Sequence, residues 1–190
     1  MQSLTHYLNE IPDHRRKQGQ RISLSSFLTL VILGNMSGHT SLQSLARFFK
    51  NNQEYFIEKF NLLHGVPGYT RTRTLLKEID FEDLNHAFTQ WSFQFLKKGD
   101  WIHIDGKGMS STSANYFDSY QNFHYLVSAF CERIGMSLTS ATFESKKVSE
   151  IKSVKELVET FKDKGVIITL DALHCQKKRP KPSWSLEMIT

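Results

Sequence analysis

The sequence predicts an α+β chain, an all-helical N-terminal part followed by a β-β-β-α-β part. Two observations carry this prediction. Apolar residues recur at helical spacing as far as Lys98, and from Trp101 onward they fall into short, β-rich runs separated by glycine. A third sets the scale: 190 residues, 39% hydrophobic and 12% aromatic, can bury a core and make one domain or two small ones.

Taken in order, the polar, basic stretch from Pro12 to Arg21 reads as a loop after a short helix. Ser23 and the serines at 25 and 26 offer an N-cap to an apolar block from Leu24 to Met36, hydrophobic on nearly every face and so expected as a buried helix ended by Gly38. Leu42, Leu45, Ala46 and Phe49 continue at helical spacing behind a cap at Thr40 or Ser41, and Tyr55, Phe56 and Phe60 mark a second short helix. After the turn at residues 65–68, residues 70–79 and 80–98 are expected as two more helices. Residues 101–105 form a short strand that Gly106-Lys107-Gly108 should end, and residues 109–121 suit a loop. Two β-rich runs, 123–134 and 136–144, meet at Gly135 as a hairpin. Ile151, Val154, Leu157, Val158 and Phe161 define a helix over 150–164, and residues 166–170 a buried strand that ends at Asp171.

Composition excludes several classes. The longest apolar stretch, Phe27 to Leu33, is far short of the ~20 residues that cross a bilayer, and the first ten residues lack a secretory pattern, so no membrane partner and a cytoplasmic location are expected. Cys131 and Cys175 make neither a disulfide framework nor a C-x-x-C pair and are expected as reduced thiols. With 24 Lys+Arg against 19 Asp+Glu the formal charge is +5. That permits a nucleic-acid partner and is equally an ordinary solubility margin.

The most informative residues are Asp105 and Asp171, each directly after a short apolar run. Strand ends are where α/β sheets place ligand and catalytic groups. Carboxylates on adjacent strand ends can hold hard divalent cations, which in pairs about 3.5–4 Å apart assist phosphodiester cleavage. Each Asp equally fits a plain turn or helix cap.

Three segments flank these acids: Ile102-His103-Ile104-Asp105-Gly106-Lys107, the hairpin run His124 to Phe130, and Ile168-Thr169-Leu170-Asp171-Ala172-Leu173-His174-Cys175-Gln176. Their order and context resemble the H-repeat-associated transposases of bacterial insertion sequences. The stretch Pro12-Asp13 to Arg21, Ser41 to Arg47 and Thr70 to Leu75 resemble the helical part of the same family, so the resemblance covers about residues 8 to 178. It implies a DDE transposase: a helical associated domain over 1–98, the first part of a ribonuclease-H-like catalytic domain over 99–178, and a tail over 179–190 foreign to the family.

The resemblance further implies that Asp105 and Asp171 are the first two catalytic acids and ligands of Mg²⁺ or Mn²⁺, with DNA as substrate and a homo-oligomer as a possible assembly. The family's third acid, a Glu on a later helix, has no matching position, so weak metal binding and little strand transfer are expected. Lys107 and His174 lie beside the two acids and fit substrate contact, or a solvated turn and a structural hydrogen bond. Lys147 and Glu150 fall where the family carries Lys-Ser-Asn-Glu-Ile; here the segment is Lys147-Val148-Ser149-Glu150-Ile151, which departs at two positions. Arg15, Arg16, Lys17, Arg21, Arg47, Arg71 and Arg73 fit phosphate contacts, with the helix from Thr70 as a reader of terminal repeats, or else solvated faces.

Pro180 and Pro182 break any period in the tail, and codons can be chosen from Lys177 onward whose shifted frame encodes a helix start followed by a turn. A frameshift at Lys177-Lys178 is therefore expected, giving a truncated transposase. A non-catalytic DNA-binding fragment that inhibits the intact enzyme, and an inactive pseudogene product, are the rival expectations.

Overall fold

The computed structural model describes residues 1–109, 124–144 and 150–170. The chain divides into two compact units between Trp91 and Ser92.

The first unit is helical: α1 (Leu4–Leu8), α2 (Leu24–Met36), α3 (Leu42–Asn51), α4 (Gln53–Phe60), α5 (Tyr69–Glu78) and α6 (Phe81–Phe93), the last running across the division. The expected caps start these helices. Ser23 Oγ accepts the Ser26 N–H at 3.1 Å, and Ser41 and Ser44 close a reciprocal capping box on α3. Asp80 Oδ1 accepts the Glu82 N–H at 2.7 Å, and Glu82 and Asp83 favour the positive end of α6. One core gathers Phe27, Leu30, Leu45, Phe49, Phe56 and Leu75, and a second joins Leu8 and Ile11 to Leu28 and Ala87. Phe27 and Phe49 are wholly buried, each stabilising the unit by about 1.5–3 kcal/mol.

A short 3₁₀ turn at Lys17–Gly19 lies inside the basic loop, and Arg15 holds that loop from within. Its Nε and Nη2 donate to the two carboxylate oxygens of Asp13 at 2.7 and 2.6 Å, and Nη2 also donates to the Ile22 carbonyl at 2.9 Å. Arg71 on α5 donates to the Gly19 carbonyl, tying the same loop to the helix. The Arg15 hydrogen bonds hold the Asp13 carboxyl below the usual carboxylate range.

The second unit is a mixed sheet with one covering helix: β1 (Trp101–Met109), β2 (His124–Cys131), β3 (Met136–Glu144), α7 (Glu150–Glu159) and β4 (Ile167–Leu170). The strand order is β3-β2-β1-β4. β1 runs antiparallel to β2 and parallel to β4, and β2 to β3 is the expected antiparallel hairpin with a bulge at Ala129/Phe130. The architecture is thus α+β, as the sequence predicts. Ile102 and Ile104 of β1, Val127, Ala129 and Cys131 of β2, and Ile168 of β4 form a buried face against Val154, Leu157 and Phe161. Cys131 is a free, buried thiol.

Several boundaries differ from expectation, among them α7, which ends at Glu159 rather than residue 164, and two lie beside the sheet's first strand. α6 stops at Phe93 rather than Lys98: the amides of Phe95 and Leu96 turn back to the carbonyls of Ser92 and Phe93 at 3.1 and 3.2 Å in tighter i→i−3 turns, and the chain reaches Gly99 at φ +85°. β1 does not stop at Gly106: it continues to Met109 because Gly106, Lys107 and Gly108 pair with Val127, Leu126 and Tyr125. Pairing along β2 outweighs the low strand propensity of glycine.

Asp100 fixes the start of β1. Arg133, in the β2–β3 turn, donates Nε to Asp100 Oδ1 at 2.6 Å and Nη2 to Oδ2 at 2.7 Å, while the Lys97 N–H donates to Oδ2 at 2.8 Å. The same Nη2 reaches the Phe95 carbonyl at 2.6 Å. The Arg133 hydrogen bonds hold the Asp100 carboxyl below its ordinary value, against the opposing effect of burial.

Three outcomes are expected in urea unfolding. Ser41→Ala removes the α3 cap and costs about 1 kcal/mol. Arg15→Ala leaves the half-buried Asp13 carboxylate without its counter-ion and costs about 3 kcal/mol. Since the folded pKa of Asp100 lies below the unfolded value of 3.8, its contribution is complete above that value and is lost as pH falls through the lowered folded pKa. Asp100→Asn should therefore lower the urea midpoint at neutral pH and flatten its decline in acid relative to wild type.

Candidate functional site

The second unit presents its candidate site on the sheet face opposite α7. Alternation along β1 buries Ile102 and Ile104 and turns Trp101, His103, Asp105 and Lys107 to the other side. Asp105 and Lys107 are exposed, two positions apart on one face. Asp105 has neither a hydrogen-bond nor an ion-pair partner among the described residues. It sits inside β1, opposite Ser128 of β2, and so is not at a strand end as its sequence context suggests.

What ends near Asp105 is the other ladder. The last described β1–β4 pair is Ile104–Leu170, so among the described residues β1 is flanked on both sides up to Ile104 and beyond it pairs with β2. Asp171, His174 and Lys147 lie outside the described residues, as do Cys175 and the tail. The side chain of Glu150 is likewise undescribed. Among the described residues no group of three or more His, Cys, Asp or Glu is placed to hold a metal ion. Asp105 is a hard, solvent-facing oxygen donor, which suits Mg²⁺ or Mn²⁺ as one ligand of a set.

One neighbour of Asp105 carries no signal in the sequence reading. His103 Nδ1 shares a 2.7 Å hydrogen bond with Thr169 Oγ1 of β4, and its Nε2 lies 3.5 Å from Glu132. This ties β1 to β4 one pair before the ladder's last, on the face that bears Asp105. The period-2 pattern Trp101, His103, Asp105 is the signal that could have found it.

On the helical unit the basic residues separate into two kinds. Arg15 and Arg71 are half-buried and bonded to the loop's own carbonyls and, for Arg15, to Asp13. Arg16, Lys17, Arg21, Arg47 and Arg73 are exposed. Among the described residues none of these five has an ion-pair partner. The α5 helix starts at Tyr69, one residue before the expected Thr70, and Arg73 faces solvent from its second turn. No helix among the described residues is long and apolar enough to cross a membrane.

Comparison with known proteins adds a likeness to transposases. Residues 5–92, nearly the whole helical unit, match the family described as DDE_Tnp_1-associated. The chain is 28% identical over 181 residues to "Putative transposase YncI" of Escherichia coli O157:H7, covering 93% of this chain and 45% of that protein. It is also 28% identical to the protein of the same name in Escherichia coli strain K12, covering 71% of it. With "H repeat-associated putative transposase YbfD" of strain K12 the identity is 24% over 187 residues, covering 70% of that protein. The chain thus spans about half the length of the longer relatives it matches. No solved structure matches it. The helical unit is thus similar to the DDE_Tnp_1-associated family, and over 93% of its length the chain is similar to H-repeat-associated putative transposases.

Proposed function

We propose that this chain is a portion of a DNA transposase in which Asp105 and Asp171 belong to a divalent-metal centre that cleaves and joins DNA strands. The observation that carries the reading is the position of Asp105. It is an exposed, unpartnered carboxylate on the central strand, next to the point where the described β1–β4 ladder ends at Leu170, the residue before Asp171. A β3-β2-β1-β4 sheet, with an antiparallel hairpin on one side and a parallel strand on the other, fits the first part of a ribonuclease-H-like domain. The likeness to transposases supports DNA as the substrate.

In this reading Mg²⁺ or Mn²⁺, when bound, polarises a backbone phosphate and lowers the pKa of the attacking hydroxyl. The chain's own part is to hold two carboxylate oxygens at fixed spacing. β1 serves because it is paired on both sides up to Ile104 and cannot shift register without exposing Ile102 and Ile104. His103 and Thr169 lock β1 to β4 beside Asp105, and Lys107, on the same face as Asp105, would meet a phosphate oxygen. His174 and Lys147 remain proposed substrate contacts on the strength of the resemblance.

A second reading, DNA binding without catalysis, is favoured by the unpaired basic residues of the helical unit. One experiment separates the two. Mn²⁺ binding, read by electron paramagnetic resonance, and Mg²⁺-dependent nicking of insertion-sequence end DNA are measured on wild type, Asp105→Asn and Asp171→Asn. Each substitution should weaken Mn²⁺ binding by about tenfold or more, about 1.4 kcal/mol, without loss of the folded signal. Equal Mn²⁺ binding by all three proteins would refute the metal centre. DNA binding that survives both substitutions, with no nicking by wild type, supports the non-catalytic reading.

A further inference from the structure

Two clefts flank the basic loop of the helical unit, and their charges are opposed. The larger, about 430 Å³, has Asp13, Glu78, Asp80 and Asp83 in its wall, together with Arg15, Arg16 and Arg71. An anion entering it meets carboxylates. The other, about 360 Å³, lies between the loop at Gln18–Ile22 and the turn at residues 64–68. Arg21, His64 and Arg71 line it, and no carboxylate does.

Three features make this second cleft more than a basic surface patch. Arg71 is half-buried in the wall that the two clefts share, and its bond to the Gly19 carbonyl fixes its guanidinium there, so little side-chain freedom is lost when an anion arrives. Arg21 and His64 are exposed at the rim and have no ion-pair partner among the described residues, so neither charge nor donor is already spent. Gly68, in the lining, is the N-cap of α5 and supplies no side-chain cap. The first α5 hydrogen bond runs from the Thr72 N–H to the Gly68 carbonyl at 2.9 Å, so the amides of Tyr69, Thr70 and Arg71 have no partner within the helix. The absence of a Cβ at Gly68 leaves open space beside it.

We infer that this cleft is a seat for one backbone phosphate of DNA, with Arg71 fixed in its wall and Arg21 and His64 closing over the phosphate from the rim. Two arginines with no carboxylate in the lining give a single phosphodiester charge an uncompensated attraction, whereas in the first cleft three arginines meet four carboxylates. The inference rests on the DNA reading proposed above and names the contact by which the helical unit meets the duplex.

The test measures binding of a fluorescent duplex to the whole chain by anisotropy across a salt series. It uses wild type, Arg21→Gln and His64→Ala; Arg71 is left intact because it also holds Gly19. Each phosphate contact contributes about 0.9 to the slope of log K against log salt. Arg21→Gln should lower the slope by about that amount, equally for unrelated sequences, and His64→Ala should weaken binding in the same sequence-independent way. In wild type, the Tyr69 and Thr70 amide resonances should move as duplex is added. An unchanged slope in Arg21→Gln, with duplex bound normally, overturns the cleft assignment while DNA binding stands. Movement of the same amides with inorganic phosphate alone and no change of slope marks a free-anion site and also overturns it. No binding of duplex by wild type refutes the DNA reading itself, and the cleft assignment with it.

Discussion

The sheet unit depends on how β1 is held. Its alternate residues Ile102 and Ile104 are buried against α7, so a one-residue slip would carry both to solvent and bring His103 and Asp105 into the core. Asp100 and Arg133 prevent the slip at the start of the strand. Their two-point contact joins the residue before β1 to the turn between β2 and β3, and the Lys97 amide closes it from the side. From that anchor the register with both neighbours follows, and with it the solvent-facing position of Asp105.

The helical unit has a comparable anchor in Arg15. A guanidinium that meets one carboxylate and the loop carbonyls of Gly19 and Ile22 shapes the chain between α1 and α2 into a rigid wall. That wall divides an acid-lined cleft from a basic one. The same arrangement decides which arginines remain for a partner: Arg15 is occupied by the loop, Arg71 gives it one bond, and Arg16, Arg21 and Arg73 give it none. Charge count alone cannot make this distinction, since Arg15 and Arg16 are adjacent in sequence and opposite in role.

Much of the helical part was legible because its signals are local. A serine cap acts within three residues, and an apolar stripe at helical spacing needs no distant partner to be recognised, which is why α2 spans Leu24–Met36 as its sequence suggests. The strand ends were not legible to the same degree. Gly106 and Gly108 argue locally for a stop, yet β2 lies alongside and pairs with both. The sheet site was legible only in part: Asp105 stands out by its context, while the His103–Thr169 bond spans 66 positions and has no local trace.

Residue type and spacing by themselves determined the helical and β-rich halves, most of the caps, the hairpin and the chemical character of Asp105. These are consequences of backbone geometry and of burying apolar side chains at a fixed period. Tertiary structure decided the strand order, the extension of β1, the pairing of Asp100 with Arg133 and the difference between Arg15 and Arg16. Each of these depends on which groups meet across long sequence separations. A hydrogen bond or ion pair of that kind is set by the packing of whole elements, and the local sequence on either side does not encode its partner.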